Sequence, residues 1–262
     1  MTATSTARLL TERRGRVLLL TIHNPAARNA LHPSLYPQAT QIFRAARDDE
    51  GLGAIVLCGD GAHFCGGGDV RRLQQQRDRP PETQAEILNN LHDWVEAMRA
   101  CPQAVIAAVE GAAAGGGFSV ALGCDLLVAA EDARFVMSYV RIGLSPDGGG
   151  SDALARALPP QAALELLLDG DVVGPQRLQG LGVVNRVVPA GTAVAAALEW
   201  AERLAAGPRS AQQRIKQLVY AARNRGHRAQ LDAERDAFVA GLYSPECGEG
   251  LAAFVEKRKP TW

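Results

Sequence analysis

Nine of the 27 glycines stand in three triplets: Gly66-Gly67-Gly68, Gly115-Gly116-Gly117 and Gly148-Gly149-Gly150. Glycine loses more backbone freedom on ordering than any other residue, so three triplets need a local reason. The first two each follow an apolar run by several residues and precede a helical period. That context leaves backbone N–H groups unpaired and turned outward, able to hold an anion or the developing negative oxygen of a carbonyl. A nucleotide phosphate does not fit, because no Lys-Ser/Thr pair follows the glycines. Nor does any G-x-G-x-x-G open a strand–turn–helix with an acid about 20 residues on. Asp147, in Ser145-Pro146-Asp147-Gly148, is a carboxylate able to move a proton, although Pro-Asp-Gly also serves as an ordinary turn or cap. Ser119 with Asp169 and His227 follows the chain order of a hydrolase triad. The Ala/Gly stretch 111–117 separates it from the preceding strand and argues against a nucleophile elbow. His63 beside Cys65 lacks a third ligand, so no metal site is expected.

The elements that must position these groups alternate between strand and helix. Short apolar runs at 17–22, 54–58, 105–109, 126–129 and 183–188 predict buried strands. Ile87, Leu88, Leu91, Trp94, Val95 and Met98 mark a helix, with Thr83-x-x-Glu86 as its capping box. A further helix is expected from about Ser151, and the Arg/Gln/Pro-rich segment 71–81 reads as a mobile surface loop. Beyond Pro189 the strand signal ends, and helical periods run over 192–206, 209–222 and 226–242. A last helix starts at Ser244 as cap with Pro245 in its first turn. The division expected is an α/β core over 1–190 and a helical region over 191–262.

Composition narrows the partners. The chain has 262 residues, with Lys+Arg and Asp+Glu both 28, so no extended basic surface for nucleic acid is expected. No apolar stretch approaches the ~20 residues of a membrane helix. Five cysteines without a C-x-x-C pair read as reduced thiols in a cytoplasmic protein. The first sixteen residues lack an apolar segment and contain Glu12, which argues against a signal peptide and for a frayed terminus.

Taken in order and spacing, Arg28-Asn29-Ala30-Leu31, Phe64-Cys65-Gly66-Gly67-Gly68-Asp69-Val70, Ala114-Gly115-Gly116-Gly117-Phe118 and Cys124-Asp125-Leu126 resemble the enoyl-CoA hydratase/isomerase (crotonase) superfamily. Ala133-Arg134-Phe135, the 142–150 and 180–189 segments and Phe254-Val255-Glu256-Lys257-Arg258 extend the resemblance over about residues 15–258. It implies a spiral core of β-β-α units, a C-terminal helical trimerisation region, and a homotrimer or a hexamer built as a dimer of trimers. It also implies an acyl-CoA thioester as substrate, with no cofactor beyond the coenzyme A it carries.

The resemblance also implies roles. The N–H groups of Gly68 and Gly116 would form an oxyanion hole, and two such preorganised donors are worth roughly 3–4 kcal/mol each. Phe118, Ser119 and Tyr139 would line the acyl pocket. Arg28, Ala30, Gly66, Asp69 and Val70 would hold the CoA, with Phe254 and Lys257 arriving from a neighbouring subunit. The family's hydratases carry glutamates at two positions that match Ser119 and Tyr139 here, and neither residue is a strong base near neutral pH. Asp147 remains, at a position where several family isomerases carry an acid. The expected reaction is therefore a double-bond shift or rearrangement of an acyl-CoA. Hydration of a 2-enoyl-CoA and catalytically silent acyl-CoA binding are the alternatives.

Overall fold

The computed structural model describes residues 7–262. The described residues form eight strands: β1 (Arg8–Arg14), β2 (Val17–His23), β3 (Ala54–Gly59), β4 (Ala104–Val109), β5 (Ala112–Ala114), β6 (Leu126–Ala130), β7 (Arg134–Val136) and β8 (Arg186–Val188). Among them run eleven α-helices: α1 (Leu35–Asp48), α2 (Val70–Gln76), α3 (Pro81–Ala100), α4 (Gly116–Gly123), α5 (Gly150–Ala157), α6 (Pro160–Leu168), α7 (Pro175–Gly180), α8 (Ala193–Ala205), α9 (Arg209–Ala222), α10 (His227–Leu242) and α11 (Pro245–Val255). The main sheet has the order β1-β2-β3-β4-β6-β8, with β1 antiparallel to β2 and every other pair parallel. β5 and β7 pair parallel in a second, two-stranded sheet.

β3 and β4 are apolar and buried almost throughout, the pattern of parallel strands covered on both faces. α8 lies across β2, β3, β4 and β6 through Ala193, Ala197, Leu198, Ala201 and Ala205. The fit is close enough that a Cβ on Gly53 would stand 2.5 Å from the Ala205 Cβ. α9 is tied to the core by Asp125, which accepts from Val105 N (2.8 Å), Lys216 Nζ (2.7 Å) and Tyr220 Oη (2.6 Å).

The structure corrects four sequence expectations. Arg8–Arg14 is an edge strand; six of its seven side chains are exposed, so it carries no apolar alternation to read. Residues 1–6 of the expected frayed terminus lie outside the described residues. Segment 71–81 is mostly helix α2, capped by Asp69, whose carboxylate accepts from Arg71 N and Arg72 N. Thr83 is not a cap, since α3 begins two residues earlier at Pro81, where proline suits the first turn. Of 183–188 only Arg186–Val188 joins the sheet, because the N–H groups of Val183 and Val184 bond back to Leu178 O. The last helix starts as expected, with Ser244 Oγ accepting from Cys247 N.

Four of the five cysteines are buried and Cys247 is partly exposed. Burial pushes the Cys58, Cys101 and Cys124 thiols up, and the Cys65 thiol up to about 12. A thiol reagent is therefore expected to titrate Cys247 alone in the folded protein and all five after denaturation. Unfolded thiols ionise near pH ~8.5. Because the folded values are raised, stability is fully present below that pH and falls as pH rises above it. Equilibrium urea unfolding across pH 7–10 measures the decline; a flat profile would contradict it.

Candidate active site

The site is built where four short backbone segments lie side by side. Leu31 bridges to Gly68 and Cys65 to Ala113, both parallel, and β5 pairs with β7. The first segment is bent into place by Arg28 and Asn29, both in the left-handed region (φ 52° and 56°). Buried Asn29 secures that bend: its Nδ2 donates to Asp60 O (2.8 Å) and His63 O (2.7 Å), and its Oδ1 accepts from Asn24 N (3.1 Å). Leu31 N then donates to Gly67 O at 2.7 Å, and Gly66 N to Arg28 O at 2.9 Å. Cys65 N donates to Ala112 O, Ala114 N to Cys65 O, and Gly115 N to Val136 O. The two glycine loops are thereby held against each other.

Gly67 has φ +91°, and a Cβ there would meet Ala114 O at 2.7 Å. Only glycine fits. A Cβ on Gly68 meets nothing nearer than Leu73 Cδ1 at 3.8 Å. Gly67→Ala is therefore expected to spread the two loops and cut activity by ~100-fold or more, since small misplacement of catalytic groups costs that much. Gly68→Ala should stay within a few-fold. Steady-state kinetics on both variants tests the pair, and equal losses would contradict the assigned geometry.

Gly116 is the first residue of α4, so its N–H has no acceptor one turn back. Among the described residues neither the Gly68 nor the Gly116 N–H has a hydrogen-bond acceptor. Both glycines line a cavity of about 320 Å³, walled also by Leu31, Tyr36, Leu88, Leu91, Tyr139 and Asp147. The α4 dipole adds positive potential at Gly116.

Asp147 sits on the turn before α5. Gly148 and Gly149 take φ of 57° and 80°, and a Cβ on Gly150 would collide with Ser119 Oγ. The third glycine triplet thus delivers the carboxylate and lets α5 close on α4. Asp147 Oδ1 lies 3.6 Å from where a Gly116 Cβ would stand. Tyr139, in the 3₁₀ turn Ser138–Ile142, donates from Oη to Asp147 Oδ1 at 2.6 Å. Ser119 Oγ lies 3.0 Å behind, on Tyr139 Oη. Burial, then the Asp147 charge, then the donated bond push the Tyr139 phenol well above its ordinary range. Burial and the same charge raise Tyr36. Both phenols stay protonated and can donate near neutral pH.

The cavity brings together Asp147, Gly68, Gly116, Gly66, Asp69, Val70 and Tyr139. The other expected residues lie elsewhere. Phe118 is corrected: it is fully buried and packs on Phe135 at 5.0 Å, on the side of α4 that faces the core. Ser119, 1% exposed, reaches the cavity only through Tyr139. Ala30 is buried and Arg28 exposed, both outside the cavity wall. Phe254 and Lys257 are exposed at the end of α11. β5 runs straight into α4 through Gly115, so the stretch 111–117 is no spacer; what opposes a hydrolase reading is the enclosure of Ser119 against Tyr139 and Gly150. Sequence reasoning missed Tyr36 and assigned Leu88 and Leu91 to helix packing alone.

The family described as enoyl-CoA hydratase/isomerase matches residues 12–262. The 2,3-dehydroadipyl-CoA hydratase of Escherichia coli K12 is 33% identical, covering 96% of this chain and 97% of its own. The 1,2-epoxyphenylacetyl-CoA isomerase of the same strain is 31% identical, covering 93% and 94%. A crystal structure of an enoyl-CoA hydratase from Polaromonas sp. JS666 superposes with a TM-score of 0.95 at 47% identity, covering 97% and 99%. The chain belongs to the enoyl-CoA hydratase/isomerase family and has the crotonase fold. It is an acyl-CoA enzyme of that family. No helix among the described residues is long and apolar enough to cross a membrane.

Proposed function

We propose that this enzyme shifts a double bond in, or rearranges, an acyl-CoA thioester through an enolate. The observation that carries the proposal is the acid content of the cavity. Of its lining residues only Asp69 and Asp147 are carboxylic, and Asp69 caps α2, its Oδ1 accepting from Arg71 N and Arg72 N. One carboxylate suffices for a proton shuttle. Asp147 takes a proton from one carbon; the electron pair moves toward the thioester oxygen, held by the Gly68 and Gly116 N–H groups; the proton returns at a carbon further along. The reaction so drawn uses no cofactor beyond the CoA of the substrate.

Arg28, Ala30 and the 66–70 segment are proposed to hold the CoA. Phe254 and Lys257 would complete its grip from a second subunit in a trimer or hexamer. Phe254 is 84% exposed, and Ile215, Val219, Phe238 and Val255 are open on the same helical region, a surface that association would cover. Light scattering at micromolar concentration is expected to report three or six chains. A monomer would remove Phe254 and Lys257 from the site.

Hydration is the second reading, favoured by relatives named as hydratases. In it Asp147 alone would activate water. Incubating the enzyme with 3-enoyl-CoA, 2-enoyl-CoA and aromatic-ring acyl-CoA, followed by chromatographic separation from the substrate and mass spectrometry, separates the two. A product of unchanged mass supports the isomerase; addition of water from 2-enoyl-CoA as the main reaction overturns it.

A further inference from the structure

We infer that Tyr139, braced by Ser119, is a positioning residue that dedicates one oxygen of Asp147 to the acyl chain and so makes the proton shuttle internal. The inference rests on the proton-shuttle reading above. Its basis is the chain of contacts from Ser119 Oγ to Tyr139 Oη (3.0 Å) to Asp147 Oδ1 (2.6 Å). Oδ1 is occupied by a strong O–H bond, whereas Oδ2 has no hydrogen-bond partner among the described residues. An oxygen already accepting such a bond is the weaker base, which leaves Oδ2 to take the proton.

Two features keep the carboxylate from turning, and another keeps Tyr139 from replacing it as the base. Tyr139 is 9% exposed and Ser119 1% exposed, so neither hydroxyl has water to exchange with readily. Tyr139 cannot act as the base itself, because burial and the neighbouring charge hold its proton. The turn carrying Asp147 is closed by Gly150 N donating to Asp147 O at 3.1 Å.

The chemical consequence concerns the proton. The C–H bond next to the thioester breaks and an O–H bond forms on Oδ2, while the electron pair enters the dienolate. That O–H bond then breaks and the new C–H bond forms two carbons further along, on the same face, because one oxygen serves both steps. A tethered carboxyl group keeps its proton through the short life of the dienolate. A carboxyl group free to rotate and hydrate gives it to solvent.

The experiment follows trans-3-hexenoyl-CoA in D2O, with mass spectrometry of the 2-enoyl product. In the wild type the original proton is expected to be retained in a large share of turnovers. In Tyr139→Phe the ratio of transferred to exchanged proton should fall ~10-fold or more, the lower end of what one charge-assisted hydrogen bond is worth. Ser119→Ala should move the ratio the same way by less, and should add nothing in the Tyr139→Phe background. Since Tyr139→Phe strands a buried Ser119 hydroxyl, the double variant also serves where the single one folds poorly. Turnover by the variants with the wild-type ratio, whatever the change in kcat, would overturn this inference alone. A wild type that neither shifts the double bond nor exchanges protons would overturn the isomerase reading and this inference with it.

Discussion

Asp147→Asn is expected to lose ~100- to 10,000-fold in turnover, the usual worth of a positioned general base. Affinity for acyl-CoA should stay within a few-fold. Asparagine has the same shape, and Tyr139 Oη can still donate to its side-chain oxygen as it does to Oδ1 across 2.6 Å. The amide has no proton affinity to remove a proton from carbon. A variant retaining more than a tenth of the wild-type rate would show that the carboxylate holds the turn and does not carry the proton.

Gly116→Pro should lose activity almost as completely, for a different reason. Proline is tolerated at the first position of a helix, which is where Gly116 stands, so α4 is expected to survive the substitution. What disappears is the N–H. Added carbon also crowds the cavity, since a Cβ at this position meets Leu31 Cδ1 at 3.2 Å, Asp147 Oδ1 at 3.6 Å and Tyr139 Oη at 3.7 Å. Gly116→Ala brings the same Cβ and keeps the donor, so the gap between the two variants isolates the hydrogen bond. That gap is expected to be ~100- to 1,000-fold in kcat, as for loss of one oxyanion donor. Equal rates for Pro and Ala would remove Gly116 from the oxyanion assignment.

Much of this frame was legible because its cause is local. Buried parallel strands are continuously apolar, so 54–58 and 105–109 could be found from composition alone, and Ser244-Pro245 announced the start of α11. β1 was hidden because an exposed edge strand needs no apolar alternation, and α2 because its opening residues are arginines and glutamines that read as loop. The glycine triplets were visible as a problem, but each solves it differently. Gly67 takes a left-handed turn against Ala114, Gly116 frees a donor, and Gly148-Gly149-Gly150 aims Asp147 and admits Ser119. Adjacent helical residues point to different faces, and Phe118, two residues after Gly116, turns into the core. The Tyr139–Asp147 bond joins residues eight apart through a 3₁₀ turn, a geometry that spacing alone does not specify.

One carboxylate suffices for the proposed isomerase chemistry, whereas hydration by Asp147 alone would lack the second acid–base group that speeds it. The most direct measurement compares two rates on one preparation of the wild-type enzyme: conversion of a 3-enoyl-CoA to its conjugated isomer, and addition of water to the matching 2-enoyl-CoA. The shift is expected to be the faster by at least ~100-fold, the lower range for a missing acid–base group. Hydration as fast as the shift, or faster, would contradict it.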